Sequence, residues 1–184
     1  MRIATLALFA LIAAPAAQAD TSPYAGEQNR VIKALSPGEI DDLRMGRGMG
    51  LAKAAELNSF PGPAHVLELA DRLNLSAEQR ARTEALMREM KAEAQRLGAA
   101  VLAAEQALDR AFAERRIDDS SLRAKLTEIA ALQGELRYVH LRTHLAQTAI
   151  LTPEQVRRYD VLRGYSQPAA APAKGHGGHG THKH

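Results

Sequence analysis

A chain of 184 residues with 46% hydrophobic and 24% charged side chains has the composition of one ordinary globular domain. It contains no cysteine, which excludes disulfides, thiol redox chemistry and cysteine-based zinc sites, so any metal must bind through His, Met, Asp or Glu. Between Asp20 and Tyr165 the basic and acidic side chains balance at 21 each, so the body of the chain carries no electrostatic footprint for nucleic acid.

Residues 3–14 are an apolar run behind Arg2, and Ala17-Gln18-Ala19 offers small residues before Asp20. This pattern predicts a secretory signal peptide over residues 1–19, cleaved after Ala19. The run is too short to span a bilayer. Residues 20–35 are mixed in character and read as a flexible lead-in. Ser36-Pro37-Gly38-Glu39 then supplies an N-cap, a proline at the first helical position and a glutamate at the third, which predicts a short helix to Met45. Gly46, Gly48 and Gly50 weaken it, residues 51–57 resume it, and Pro61-Gly62-Pro63 stops it. Residues 65–73 read as another short helical piece.

Leu75-Ser76-Ala77-Glu78-Gln79 is the next start, with Ser76 capping the first turn and Gln79 reaching back. Thr83, Met87, Met90, Ala94, Leu97, Val101, Ala104 and Leu108 follow at alternating spacings of three and four, an apolar seam on a long helix to about Glu114. Asp118, Asp119, Ser120 and Ser121 then offer caps. A second long helix runs to about Thr148 on the stripe Leu122, Leu126, Ile129, Leu132, Leu136 and Val139. Two long helices joined by a short polar turn make an antiparallel hairpin. Leu151-Thr152-Pro153-Glu154-Gln155 opens a last helix ending near Gly164. Nothing reads as a strand, so the fold class is all-α. Residues 166–184 shift to Pro, Ala, Gly, His and Lys and cannot build a core.

The starts at Leu75–Gln79 and Leu151–Gln155 bracket a helical hairpin in a cysteine-free chain that carries an export signal. They resemble the paired LTxxQ motifs of the Spy/CpxP superfamily, with Ser76 standing for the threonine of the first. The resemblance covers residues 36–165. It implies a four-helix hooked hairpin that dimerises into a cradle in the periplasm. Some members are ATP-independent chaperones that hold unfolding or misfolded periplasmic proteins; others are zinc-resistance or nickel–cobalt sensor proteins. The alternative on the residues alone is a monomeric four-helix bundle.

The candidate chemistry is metal binding. His176, His179, His182 and His184 are separated mostly by glycine in the tail, and imidazoles on a pliant backbone suit Zn, Ni or Cu(II). His140 and His144 stand four residues apart on the second long helix, where they either chelate one ion or pack. Met45 and Met49 have the same spacing and are either thioether ligands favouring Cu(I) or packing residues, and His65 follows the Pro-Gly-Pro turn. Met87 and Met90 read as seam residues. There is no nucleophile elbow, phosphate loop or HExxH, so no enzyme and no organic cofactor is expected. Two readings stand: an exported stress chaperone that also binds divalent metal through its tail, and a heavy-metal sensor or resistance accessory protein. The latter has its site at His140 and His144 and signals to a membrane-bound sensor or an anti-sigma factor.

Overall fold

The computed structural model describes residues 21–166. The expected signal segment and the tail histidines lie outside the described residues. Six α-helices follow a 3-10 turn at Glu27–Asn29: α1 (Pro37–Met45), α2 (Lys53–Glu56), α3 (Pro63–Glu68), α4 (Ala77–Ala113), α5 (Asp119–Ile150) and α6 (Pro153–Arg163). No strand occurs among the described residues.

The helix starts follow from capping chemistry. Ser36 Oγ accepts from Glu39 N–H and the Glu39 carboxylate accepts from Ser36 N–H; Ser76 with Gln79, Asp118 with Ser121 and Thr152 with Gln155 repeat the exchange. Each pair satisfies two amide donors that a helix start leaves open, worth about 1 kcal/mol per cap. The hooked hairpin implied by the resemblance counts four helices, whereas six are present. Its first helix is broken twice, at Gly46, whose φ of +63° ends α1, and at Pro61-Gly62-Pro63, where the ring of Pro63 starts α3 afresh. The lead-in is held to α4, because Ile32 is buried, Leu35 packs on the core and Lys33 Nζ lies 3.0 Å from Asp109 Oδ2.

α4 and α5 pack antiparallel, and α1, α2 and α3 lie along them. The buried interior forms two clusters. One joins Leu43 of α1, Ala94, Leu97 and Val101 of α4, and Leu136 and Val139 of α5; the other joins Val66, Leu73, Leu151 and Tyr159. The predicted stripes supply most of the first, but Met87, Met90 and Leu108 are half-buried and Leu126 is exposed, since a pair of helices leaves one side of each stripe uncovered.

At the base of the hairpin the two similar motifs meet. Gln79 Nε2 donates to Gln155 Oε1 at 2.8 Å and Gln155 Nε2 donates to Gln79 Oε1 at 3.0 Å. The same two amide groups also donate to the carbonyls of Ile150 and Leu73.

α1 touches α4 backbone to backbone at Gly98, where an added Cβ would lie 2.1 Å from the Leu43 carbonyl oxygen. Gly98→Ala therefore pushes α1 off α4. A net loss of about 1–2 kcal/mol in urea unfolding followed by circular dichroism is expected, overpacking outweighing the gain in helix propensity. Unchanged or higher stability would show that the close approach is not needed.

Candidate metal centre

The break between α1 and α2 places residues 45–53 over the side of the hairpin, where they roof an open cavity of about 500 Å³. Its other walls are the start of α3 at Gly62–His65, Met87, Met90 and Lys91 of α4, and His140 and His144 of α5. All five candidate ligands among the described residues, His140, His144, Met45, Met49 and His65, therefore meet at one place. His176, His179, His182 and His184 lie outside the described residues.

His140 is 5% exposed, and its Nε2 is buried without a hydrogen-bond partner among the described residues. Burial first, and then the neighbouring His144, push its imidazole below the ordinary value, so it is neutral at pH 7. His144 is oriented more firmly. Its Nδ1 lies 2.7 Å from the Phe60 carbonyl oxygen, which can only accept, so Nδ1 carries a proton and Nε2 is the nitrogen left for a ligand. A carbonyl on the far nitrogen is the arrangement that fixes tautomer and ring angle in metal-binding histidines.

Glu56 sits behind the histidines as a hub with a side chain only 12% exposed. Its Oε1 accepts from the Tyr159 hydroxyl and, at 3.1 Å, from the Tyr165 hydroxyl. The same oxygen has His65 Nδ1 at 3.3 Å and Arg163 Nε at 3.7 Å. Its Oε2 accepts from Gly62 N–H at 3.2 Å and lies 3.8 Å from His144 Nδ1. Burial and the bond to Glu56 push the Tyr159 hydroxyl far above its ordinary value, which keeps it a donor. His65 is thus drawn into the Glu56 network, with Arg163 Nη2 3.5 Å from its Nε2, and is less free to ligate than His140 and His144.

Met45 and Met49 stand on the roof, 46% and 42% exposed. Met49 has a φ of +46° and is followed by Gly50 at +75°. A left-handed backbone costs a side-chain-bearing residue about 1–2 kcal/mol, and such strain collects at functional loops. Met87 and Met90, predicted as seam, also face the cavity, while Met90 packs against the first cluster as well. Among the described residues no three or more His, Asp or Glu side chains are grouped to hold a metal ion. Sequence reasoning missed Glu56 and Gly62. The first sits in a one-turn helix without periodicity, and the second read only as part of a helix stop.

A family model described as heavy-metal resistance matches residues 50–158, well over half of the chain. The chain belongs to the heavy-metal resistance family. That family lies within the Spy/CpxP-like helical superfamily, and the match takes in both glutamine motifs, Glu56, His65, His140 and His144. Met45 and Met49 fall just ahead of it. No curated protein and no solved structure matches the chain.

Gly62 leaves the space that the His144 ring uses, since an added Cβ would lie 2.8 Å from its Cε1 and 2.9 Å from its Nε2. Gly62 has an extended backbone open to alanine, so Gly62→Ala tests that space alone. The ring should swing off the Phe60 carbonyl, costing about 1 kcal/mol of stability and shifting the His144 Nδ1 resonance with helical content kept. An unmoved resonance would count against the assigned orientation.

Proposed function

We propose that this member of the heavy-metal resistance family is an exported protein that binds a transition-metal cation in the cavity between α1, α3, α4 and α5, with His140 and His144 as its imidazole ligands. The observation that carries the reading is the His140 Nε2 atom, buried without a partner among the described residues on a side chain that lines the cavity. An unpaired buried polar atom costs about 1–3 kcal/mol, and a bound cation gives that nitrogen the electrophile it lacks. His144 supports the same reading, because the Phe60 carbonyl holds its Nδ1 from behind and leaves Nε2 as the nitrogen that can meet a cation. When bound, the cation supplies a charge that the two imidazoles and the thioethers share; Glu56 holds the segment carrying Gly62 in place through its N–H.

Export rests on residues 1–19, and no helix among the described residues is long and apolar enough to cross a membrane. The periplasm is the compartment we assign. The tail histidines serve as an accessory site for Zn, Ni or Cu(II), and a homodimer that reports the loaded state to a membrane-bound sensor or anti-sigma factor is the output consistent with this role.

The test uses the full chain with His176, His179, His182 and His184 changed to alanine, titrated calorimetrically with Zn(II), Ni(II) and, under reducing conditions, Cu(I). One ion should bind per subunit, and His140→Ala should weaken it by roughly tenfold or more with the circular dichroism spectrum unchanged. Equal affinity in the His140→Ala variant would overturn the assignment.

Holding of unfolding proteins is a second reading, and it draws on Tyr138 and Leu145, 55% and 59% exposed and seven residues apart on one side of α5. Aggregation of a thermally unfolding client should fall at near-stoichiometric ratios without nucleotide, and less so after Tyr138→Ser with Leu145→Ser. No suppression with several clients would remove this reading.

A further inference from the structure

We infer that the cavity selects a soft monovalent cation, copper(I) or silver(I), and that residues 46–50 act as a flap that brings Met45 and Met49 onto a cation held by His140 and His144. This rests on the metal-binding role proposed above and concerns which class of ion the site takes.

The distribution of methionine is the first observation. The chain has five, and every one except Met1 lines this single cavity. Methionine used simply as an adaptable filler would be spread through the interior, yet no methionine is a buried member of either apolar cluster. Thioether sulfur is a soft donor that prefers copper(I) and its congeners over hard or borderline divalent ions.

The harder donors are lacking or occupied. Zinc in a closed site asks for four nitrogen, oxygen or thiolate ligands, and among the described residues no three His, Asp or Glu side chains are placed to hold a metal ion together. Both oxygens of Glu56 already accept hydrogen bonds, from Tyr159 and Tyr165 on one side and Gly62 on the other. Lys53 and Lys91 also line the cavity, and their repulsion on a singly charged ion is half that on a doubly charged one.

The flap supplies what the fixed walls do not. A cavity of about 500 Å³ is far larger than any bare cation, so ligands must move inward to close around one. Met45 and Met49 are the ones placed to move. Both leave large apolar side chains exposed, Gly46 and Gly50 adopt left-handed backbone conformations around Met49, and Met49 itself is strained in the same region. Closure buries two thioethers and gives the strained segment a ligand-bound alternative.

The experiment uses the full chain with its four tail histidines changed to alanine. Silver(I) and Zn(II) are titrated by calorimetry, and copper(I) by anaerobic competition with a chromophoric chelator. Met45→Leu with Met49→Leu keeps the apolar bulk and removes both sulfurs; it should weaken copper(I) and silver(I) by roughly tenfold or more and leave Zn(II) unchanged. In the unsubstituted flap, silver(I) should shift the methyl resonances of both methionines, and the copper X-ray absorption spectrum should contain sulfur beside nitrogen scatterers. Tighter binding of Zn(II) than of silver(I), or no effect of the leucine pair, overturns the selectivity and leaves the metal site standing. No binding of any of these ions overturns both.

Discussion

The reciprocal amide pair of Gln79 and Gln155 is the interaction on which the arrangement turns. Each glutamine closes the capping box of its own helix, donates to its counterpart and reaches a carbonyl at the end of a preceding segment. The starts of α4 and α6 and the end of α5 are thereby fixed at one point. A capping residue usually acts within one turn. Here two such residues also set tertiary register, which explains why one of two similar motifs precedes the hairpin in the chain and the other follows it.

From that fixed base, close contacts determine what can stand over the side of the hairpin. Gly98 lets the Leu43 carbonyl approach α4, and Leu43 in turn fixes where α1 ends and its glycine-rich continuation begins. Gly62 does the same for α5, leaving room for the His144 ring beneath the Pro-Gly-Pro turn. The two glycines set the spacing of the cavity walls by omission of side chains. The polar groups then orient what the spacing admits, with the Phe60 carbonyl turning His144 and the Glu56 carboxylate gathering Tyr159, Tyr165 and His65.

Much of this was legible in the sequence where the chemistry is local. The caps at Ser36, Ser76 and Thr152 stand where their hydroxyls and the following Glu or Gln predict, and α1 and α6 end at glycines with positive φ. The stripe from Ala94 to Ala104 is buried as its spacing predicts. Histidine and methionine pairs at i, i+4 pointed to His140, His144, Met45 and Met49. That they share a cavity was not legible, because the encounter depends on α1 and α5 packing on the same helix. Gly98 inside a helix reads as a mild destabiliser, since the carbonyl it accommodates lies far earlier in the chain. Met87 and Met90 fit the seam by spacing yet face a cavity, because the element above them is an irregular loop and not a packed helix. Glu56 gave no signal at all, its partners Tyr159 and Tyr165 being more than a hundred positions away.

The segment between α2 and α3 is pinned from both sides by residues of the last third of the chain: Ser59 Oγ donates to Asp160 Oδ2 at 2.6 Å, and the Phe60 carbonyl accepts from His144. These bonds close loops of 101 and 84 residues, whereas the hairpin of α4 and α5 closes on a short turn. Long loops cost more entropy to close, and contacts that depend on them form slowly. The segment beside the cavity is accordingly pinned only once His144 and Asp160 are in place, whereas the hairpin of α4 and α5 can close before that. Any ligand that bound between these walls would therefore draw on contacts from both ends of the chain, and would stabilise the whole fold by mass action and not one helix pair alone.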